Sequence, residues 1–109
     1  MPTEMEYDYK FTAIALSDID EALSYISNDL ANRIASKNLM KKIEEAIHMI
    51  CLFPYAYADC SYYMIHDKTV RHIKIGNYVM IYRVIETQAT LHILRFRYSR
   101  MNFSDIDID

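Results

Sequence analysis

The chain has 109 residues, of which 52% are hydrophobic and 25% charged, and its formal net charge is −3. This composition is typical of one compact domain and excludes an intrinsically disordered chain, which would combine few apolar residues with a high net charge. No apolar run approaches the roughly 18 residues that a membrane span requires, and the start is acidic, unlike a secretory signal. We therefore expect a cytoplasmic protein with a single domain over residues 1–109.

Charge is distributed unevenly along the chain. Residues 1–60 carry a net charge of −5, residues 61–104 carry +5, and the last five residues add three aspartates. A basic region within an acidic protein can still present a surface to phosphate groups, although lysine and arginine often do no more than solvate the outer side of a sheet. We expect the acidic tail, residues 105–109, either to be frayed or to shield the basic region.

The N-terminal half predicts one strand followed by two helices. Residues 7–16 alternate aromatic and charged side chains and then become uniformly apolar, which is typical of a strand that enters a sheet. Ser17, followed by acidic residues, predicts the N-cap of a helix over residues 18–27. Asn32 predicts the cap of a second helix that extends to Pro54, and the two apolar stripes predict an antiparallel helical hairpin.

The C-terminal half predicts an antiparallel meander. Two β-rich runs, residues 70–75 and 78–85, flank Gly76-Asn77, and the only glycine of the chain thus stands where a tight hairpin turn needs positive φ. A last strand follows over residues 90–97. We therefore predict an α+β fold of order βααβββ, with a curved antiparallel sheet that packs one face against the helical hairpin and leaves the other uncovered. The side chains expected to face the helices from the middle strand of the meander are Tyr78, Met80, Tyr82 and Val84.

Basic side chains collect on this predicted meander. His72 and Lys74 share one side of their strand, and Arg71 points to the other side. The last strand and the residues just after it add Arg95, Arg97, Tyr98 and Arg100. Several cations and one imidazole on adjacent strands are the minimum set of groups for binding a phosphodiester.

Two segments of this region, together with the order of all the elements, resemble the RelE/ParE superfamily, the toxins of bacterial type II toxin–antitoxin modules. The first is Arg71 followed by a strand and a Gly-x-Tyr-(apolar)3-Tyr hairpin that ends at Tyr82. The second is the closing Arg95-x-x-Tyr98-x-Arg100. The resemblance spans nearly the whole chain. It implies a RelE/ParE-like toxin of plasmid stabilisation modules, which a cognate antitoxin protein neutralises and which acts on messenger RNA at the ribosome or on DNA gyrase.

For the ribonuclease branch, the resemblance implies a set of site residues. Lys74 matches a lysine of the second strand, Arg100 matches an arginine after the last strand, and His72 falls where another lysine of the family stands. In such an enzyme cations stabilise the phosphate, a base removes the 2′-hydroxyl proton and an acid protonates the leaving oxygen. We therefore interpret His72, Lys74 and Arg100 as candidate catalytic residues. The candidate substrate-binding residues are Arg71, Arg95, Arg97 and Tyr98.

Two departures from the ribonuclease pattern leave the target open. Val79 stands where RelE-like nucleases carry an arginine, and their C-terminal tyrosine has no counterpart in residues 102–105. The apolar residue and the modest net charge are closer to the gyrase-directed branch. We retain a marginal preference for a ribosome-dependent mRNA endoribonuclease. The alternatives are a non-enzymatic inhibitor of DNA gyrase and a degenerate relative that only binds an antitoxin.

Neither the cysteines nor the histidines predict a metal site. Cys51 and Cys60 lie nine residues apart without a CxxC motif, which indicates two buried or idle thiols rather than a disulfide. His66 stands near Cys60, Asp59 and Asp67, but no ligand pair has the short spacing of a zinc module. We expect no cofactor and no membrane partner.

Overall fold

The computed structural model describes residues 6–61 and 65–99. The sequence predicts a catalytic role for Arg100 and either fraying or shielding for the acidic tail. Both lie outside the described residues. The elements are β1 (Asp8–Phe11), α1 (Ala13–Ser24), α2 (Arg33–Leu52), β2 (Val70–Ile75), β3 (Tyr78–Ile85) and β4 (Thr90–Tyr98). A single π-helical turn over Tyr25–Asp29 continues α1 toward α2. Within the described ranges, no helix is both long and apolar enough to cross a membrane.

The four strands form one open sheet in the order β1-β4-β3-β2. The predicted α+β class and the βααβββ order are confirmed, but the sheet is mixed, because β1 pairs with β4 in parallel while the other pairs are antiparallel. The parallel pair follows from the helical hairpin. It returns the chain to the start of β1, where the Tyr7 N–H donates to the Cys51 carbonyl at 3.0 Å. Because the meander has an odd number of strands, its last strand, β4, then runs in the same direction as β1.

Helix α1 begins earlier than the sequence predicts. The N-cap is Thr12, whose hydroxyl accepts from the Ala15 N–H at 3.0 Å and donates to the Leu94 carbonyl at 3.1 Å. Residues 13–16 are therefore helical rather than extended, and Ser17 is not a cap. The apolar run in this stretch has no alternation of its own, so the cap decides its conformation. The predicted cap of α2 is confirmed, since the Asn32 side chain accepts from the Ala35 N–H at 3.0 Å.

The β2–β3 hairpin has the predicted boundaries. Gly76 has a φ of +61°, and a Cβ at this position would meet no atom within 4 Å, so the glycine is required by the backbone angle and not by space. The turn places β2 and β3 in a register in which Ile75 pairs with Tyr78 and Val70 pairs with Arg83.

The main core lies between the sheet and the two helices. We call this side of the sheet the helix face and the other side the outer face. Met80, Tyr82 and Val84 of β3 are buried on the helix face, as predicted, and Tyr78 packs partly against the same cluster. The buried residues that α2 supplies are Leu39, Ile43, Ala46, Ile47, Ile50 and Cys51. Ile34 and Met40, which the apolar stripe also includes, are 73% and 41% exposed.

A second cluster fills the centre of the outer face, which we expected to be uncovered. This outer cluster contains Cys60, Val70, Val79, Ile81 and Leu94, with Ile65 packed against it. The segment after α2, residues 53–61 and 65–69, which we call the covering segment, pairs with the free edge of β2, where the Ala58 carbonyl accepts from the His72 N–H at 3.0 Å, and it packs Cys60 and Ile65 on the outer face. A β-bulge between β3 and β4, at Ile81/Tyr82, interrupts the register where β4 adds Leu94 to the cluster.

Candidate functional site

The basic residues of the outer face surround the outer cluster. Lys74, Val79 and Arg97 stand in register across β2, β3 and β4, so that one cation lies on each side of a valine that is 1% exposed. His72 lies on the same face as Lys74, two residues away along β2, and pairs with Ile81. This face therefore brings His72, Lys74 and Arg97 to one region, arranged around an apolar centre.

His72 is held by the covering segment. Its Nδ1 lies 3.7 Å from the Cys60 Sγ, and the ring is half-buried. Burial lowers the pKa of His72, while hydrogen bonding to the backbone of Asp59 and the negative charge of Asp59 act in the opposite direction. The imidazole is therefore neutral at neutral pH and chemically able to accept a proton.

Asp59 organises the covering segment beside His72. Its carboxylate accepts from the Lys68 Nζ at 2.9 Å and from the Ser61 hydroxyl at 2.8 Å. The hydrogen bond from Lys68, followed by those from Ser61, holds the pKa of Asp59 well below its usual range. This carboxylate is therefore ionised at every pH at which the protein would work, and it supports the loop rather than exchanging protons.

Arg71 lies on the helix face, away from His72 and Lys74. Its guanidinium donates to the carbonyls of Tyr57 and Lys68, each at 3.0 Å, and stands 4.9 Å from the ring centre of Tyr55. These contacts bind the covering segment from both ends. The described interactions of Arg71 are thus structural, and its role in substrate binding stays a prediction.

Arg95 is paired with a carboxylate of helix α1. Its guanidinium donates to both oxygens of Asp18, at 2.8 and 3.2 Å, and each of the two side chains is only 13% exposed. The same carboxylate accepts from the Phe96 backbone N–H at 3.0 Å. Asp18 therefore neutralises the buried charge of Arg95. It also accepts a hydrogen bond from the backbone of β4 at the open edge beyond the end of β1.

A groove of about 1120 Å³ runs between α1 and the last half of β4. We call it the α1–β4 groove; its walls include Ile14, Tyr25, Leu30, Phe96 and Tyr98, and Asp18, Glu21, Arg95 and Arg97 also line it. Tyr78 stacks on Phe96, with ring centres 4.8 Å apart, and meets Tyr98 edge to face at 5.5 Å. Tyr98 therefore belongs to this groove.

The sequence reasoning missed the apolar wall of the α1–β4 groove. The sequence predicts a strand at Ile14, which instead lies in helix α1, and Tyr25 is 52% exposed. A signal was present, since Tyr25 and Leu30 fall around the break between the two helices and continue neither apolar stripe. What the pattern could not give is the wall that β4 supplies opposite them.

A family model described as the ParE toxin of the type II toxin–antitoxin system parDE matches residues 9–103. The chain belongs to the ParE toxin family. The ParE-family chain is also similar in fold to a chain of the chromosomal ParDE toxin–antitoxin system from P. aeruginosa, with a TM-score of 0.67 and 15% identity over 86% of this chain and 97% of that one. No curated protein sequence gives a significant match.

A second similar structure comes from the RelBE2 toxin–antitoxin complex of Mycobacterium tuberculosis. Its TM-score is 0.60, with 18% identity over 85% of this chain and 98% of that one. At these identities the two structures establish the fold alone. The fold that the family resemblance implied, with its helical hairpin on one face of a four-stranded sheet, is thereby confirmed for the ParE-family chain.

The two cysteines of the ParE-family chain are free and buried, one on each side of the sheet. Burial raises the pKa of both Cys51 and Cys60 to about 11, with smaller contributions from nearby carboxylates. Neither is a thiolate at neutral pH, and neither has the basic, accessible surroundings of a reactive cysteine.

Proposed function

We propose that this ParE-family chain is a growth-inhibiting toxin that is neutralised by an antitoxin and that acts by binding DNA gyrase rather than by cutting RNA. The observation that carries the choice is the outer cluster. It occupies the part of the sheet where the family resemblance would place a cleaved phosphate. The match to the ParE toxin model supports the same branch, and the toxin–antitoxin complexes among the similar structures support an antitoxin partner.

Phosphodiester cleavage needs charge directed at the phosphate and groups that move protons. At the centre of the outer face Val79 and Ile81 supply neither, and both are almost fully buried. Lys74 and Arg97 flank Val79 at Cα positions about 10 Å apart, two strand spacings. Arg95 is engaged by Asp18 on the other side of the β4 edge. This arrangement suits the surface of a binding protein better than a site that stabilises a cyclising phosphate.

A second candidate function, mRNA cleavage at the ribosome, has one observation in its favour. The neutral imidazole of His72 and the exposed ammonium of Lys74 share the outer face, and Arg97 stands across from Lys74. A base and two cations remain a usable partial set for the reaction. The ribosome would have to supply the remaining groups.

The two candidates differ in which process stops first after induction. We expect induced expression to halt thymidine incorporation and to trigger the DNA damage response before methionine incorporation falls. Purified protein should inhibit supercoiling by gyrase while leaving ribosome-bound mRNA intact. Early loss of methionine incorporation with cleaved mRNA would overturn the gyrase proposal. Normal growth with soluble protein present would overturn both functions and leave a relative that only binds an antitoxin.

Two substitutions separate the candidates at the residue level. If the protein is a ribonuclease, His72→Ala and Lys74→Ala should each lower mRNA cleavage by about 100-fold or more, because each removes a proton-transfer or charge-stabilising group. Lys37→Ala, an exposed lysine of α2, is the matched control. Under the gyrase proposal there is no cleavage for either substitution to lower, and supercoiling inhibition is the activity to measure.

A further inference from the structure

The two edges of the sheet differ in what covers them. The edge of β2 is paired with the covering segment through a bridge between Asp59 and Arg71. At the other edge, β1 pairs only with β4 among the described residues, and three of its four residues are exposed. An uncovered edge strand presents backbone groups with which another strand can pair. We propose that the edge of β1 is a dimer interface, at which a second copy of this chain adds its own β1 in the antiparallel direction.

The hydrogen bonds to β4 show which backbone groups of β1 face outward. The Asp8 N–H donates to the Ala89 carbonyl at 2.9 Å, and the Thr12 N–H donates to the Ile93 carbonyl at 3.0 Å. Since successive residues of a strand direct their hydrogen-bonding groups to opposite sides, the N–H and C=O groups of Tyr9 lie on the open side. Tyr9 can therefore exchange two hydrogen bonds with Tyr9 of the partner copy across a two-fold axis.

The charged side chains of β1 are complementary to themselves in this arrangement. With Tyr9 at the axis, Asp8 of each copy stands opposite Lys10 of the partner copy. This is the non-hydrogen-bonded position of an antiparallel pair, where opposite side chains come closest. Within residues 6–61 and 65–99, neither Asp8 nor Lys10 forms an ion pair. Both charges are thus available, and the symmetry forms the pair twice.

The same charges disfavour the neighbouring registers. A shift by two residues is the smallest that keeps the outward backbone groups in phase. It places either Asp8 opposite Asp8 or Lys10 opposite Lys10. Like charges directly opposite each other destabilise a pair of strands. Charge therefore selects one register, which is the behaviour of a specific interface and not of an edge that would accept any strand.

The other side of β1 supplies apolar contact at the axis. Tyr9 pairs with Leu91 and Phe11 with Ile93, and because both partners are buried on the helix face, the two rings lie on that face. Tyr9 is 49% exposed and meets Phe11 edge to face, with ring centres 5.7 Å apart. In the dimer the two Tyr9 rings cover each other, and one continuous sheet runs through both copies.

Charge reversal tests the register on the full chain. Sedimentation velocity should show dimers of the wild-type chain that form as its concentration rises toward about 0.5 mM, as expected of a small interface. Asp8→Lys and Lys10→Asp each place like charges opposite one another twice and should weaken the dimer by about tenfold or more. The double substitution exchanges the two charges and should restore dimerisation to within about threefold of wild type. Lys37→Asp makes the same charge change as Lys10→Asp on the exposed side of α2 and is the matched control.

A disulfide measures the register directly. Asp8→Cys and Lys10→Cys chains, mixed and mildly oxidised, should form a linked heterodimer, because opposite Cα atoms at this position lie about 4.5 Å apart. Either variant alone should stay unlinked, since residues of the same number then stand two positions out of register. The wild-type chain, whose Cys51 and Cys60 are buried, gives the background.

Three outcomes would overturn the proposal. A chain that stays monomeric at every concentration would leave this edge to residues 1–5 or to a strand of another protein. Dimers that the double substitution fails to restore would place the interface elsewhere. Equal linkage of the single cysteine variants and of their mixture would show that β1 does not pair in this register. None of these measurements depends on growth arrest or on its target, so they leave the proposed function untouched.

Discussion

The two faces of the sheet are built from the same strands, and yet they differ in how firmly their buried side chains are packed. On the helix face, β3 packs Met80, Tyr82 and Val84 against two helices. On the outer face the same strand packs Val79 and Ile81 against a loop and a few strand neighbours. A strand buried on both sides reads as a continuous apolar run, as β3 does. The basic residues of the outer face therefore surround a small second core and not an uncovered sheet surface.

The largest expected effect comes from placing a charge in the outer cluster. Val79→Arg restores the residue type that RelE-like ribonucleases are expected to have, but at a site that is 1% exposed and lies between Lys74 and Arg97. We expect a loss of about 3–5 kcal/mol in unfolding free energy, measured by urea denaturation, because the charge is buried without a partner. Val79→Ala is the control. A stable variant that cleaves RNA would mean that the outer face is an open site.

A matched pair of isoleucines compares the two faces directly. Ile93 lies in the helix-face cluster and Ile81 in the outer cluster, and both are 0% exposed. Ile93→Ala should cost about 3–5 kcal/mol and Ile81→Ala about 2–3 kcal/mol, because a covering loop can move into a cavity more readily than a packed helix can. The same denaturation experiment measures both. An equal or larger cost at Ile81 would contradict the difference between the faces.

The two cysteines report how each face opens. Both thiols are buried and have pKa values raised to about 11, so alkylation in the native state requires opening of the structure. We expect Cys60, beneath the loop, to be labelled at least about tenfold faster than Cys51, because the loop can open without global unfolding. Mass spectrometry of Cys51→Ala and Cys60→Ala assigns the rates. Labelling of both at the rate of global unfolding would show that the outer cluster is as firmly closed as the helix face.

The smallest expected effect is the pH dependence contributed by His72. Burial places its folded-state pKa below the ordinary value of 6.5, so just below 6.5 the unfolded chain binds a proton more readily than the folded one. Stability from this group is present at neutral pH and falls as the pH is lowered through that window. Unfolding midpoints between pH 5 and pH 8 should therefore depend less on pH in His72→Gln. Identical profiles would show that the ring is not desolvated by the covering segment.

Much of the fold could be predicted because the sequence carries local signals for it. The Gly76-Asn77 turn fixed the hairpin, and Asn32 fixed the start of α2, since each acts through its own backbone angle or cap. The predicted start of α1 was wrong because Thr12 competes with Ser17 for the N-cap position. The choice depends on a hydrogen bond to Leu94, 82 residues away, which no local pattern contains.

The candidate site was harder to predict, because its residues are sorted by contacts between distant segments. Alternation placed His72 and Lys74 on one face, since strand periodicity is a local rule. It could not show that Asp18 draws Arg95 toward α1, or that the segment after α2 covers Ile81. Charge counts locate a basic region, but the pairing of each cation depends on the tertiary fold.

The parallel pairing of β1 with β4 also has a consequence for biosynthesis. The sheet is complete only when β1 pairs with β4, and the hydrogen bond between Thr12 and Leu94 joins residues separated by nearly the whole chain. Contacts of such sequence separation slow folding. During translation the helical hairpin and the β2–β3 ribbon can form while the C-terminal strand is still inside the ribosome, but the complete sheet cannot. A nascent chain of this family therefore acquires its complete sheet only once β4 has left the ribosome.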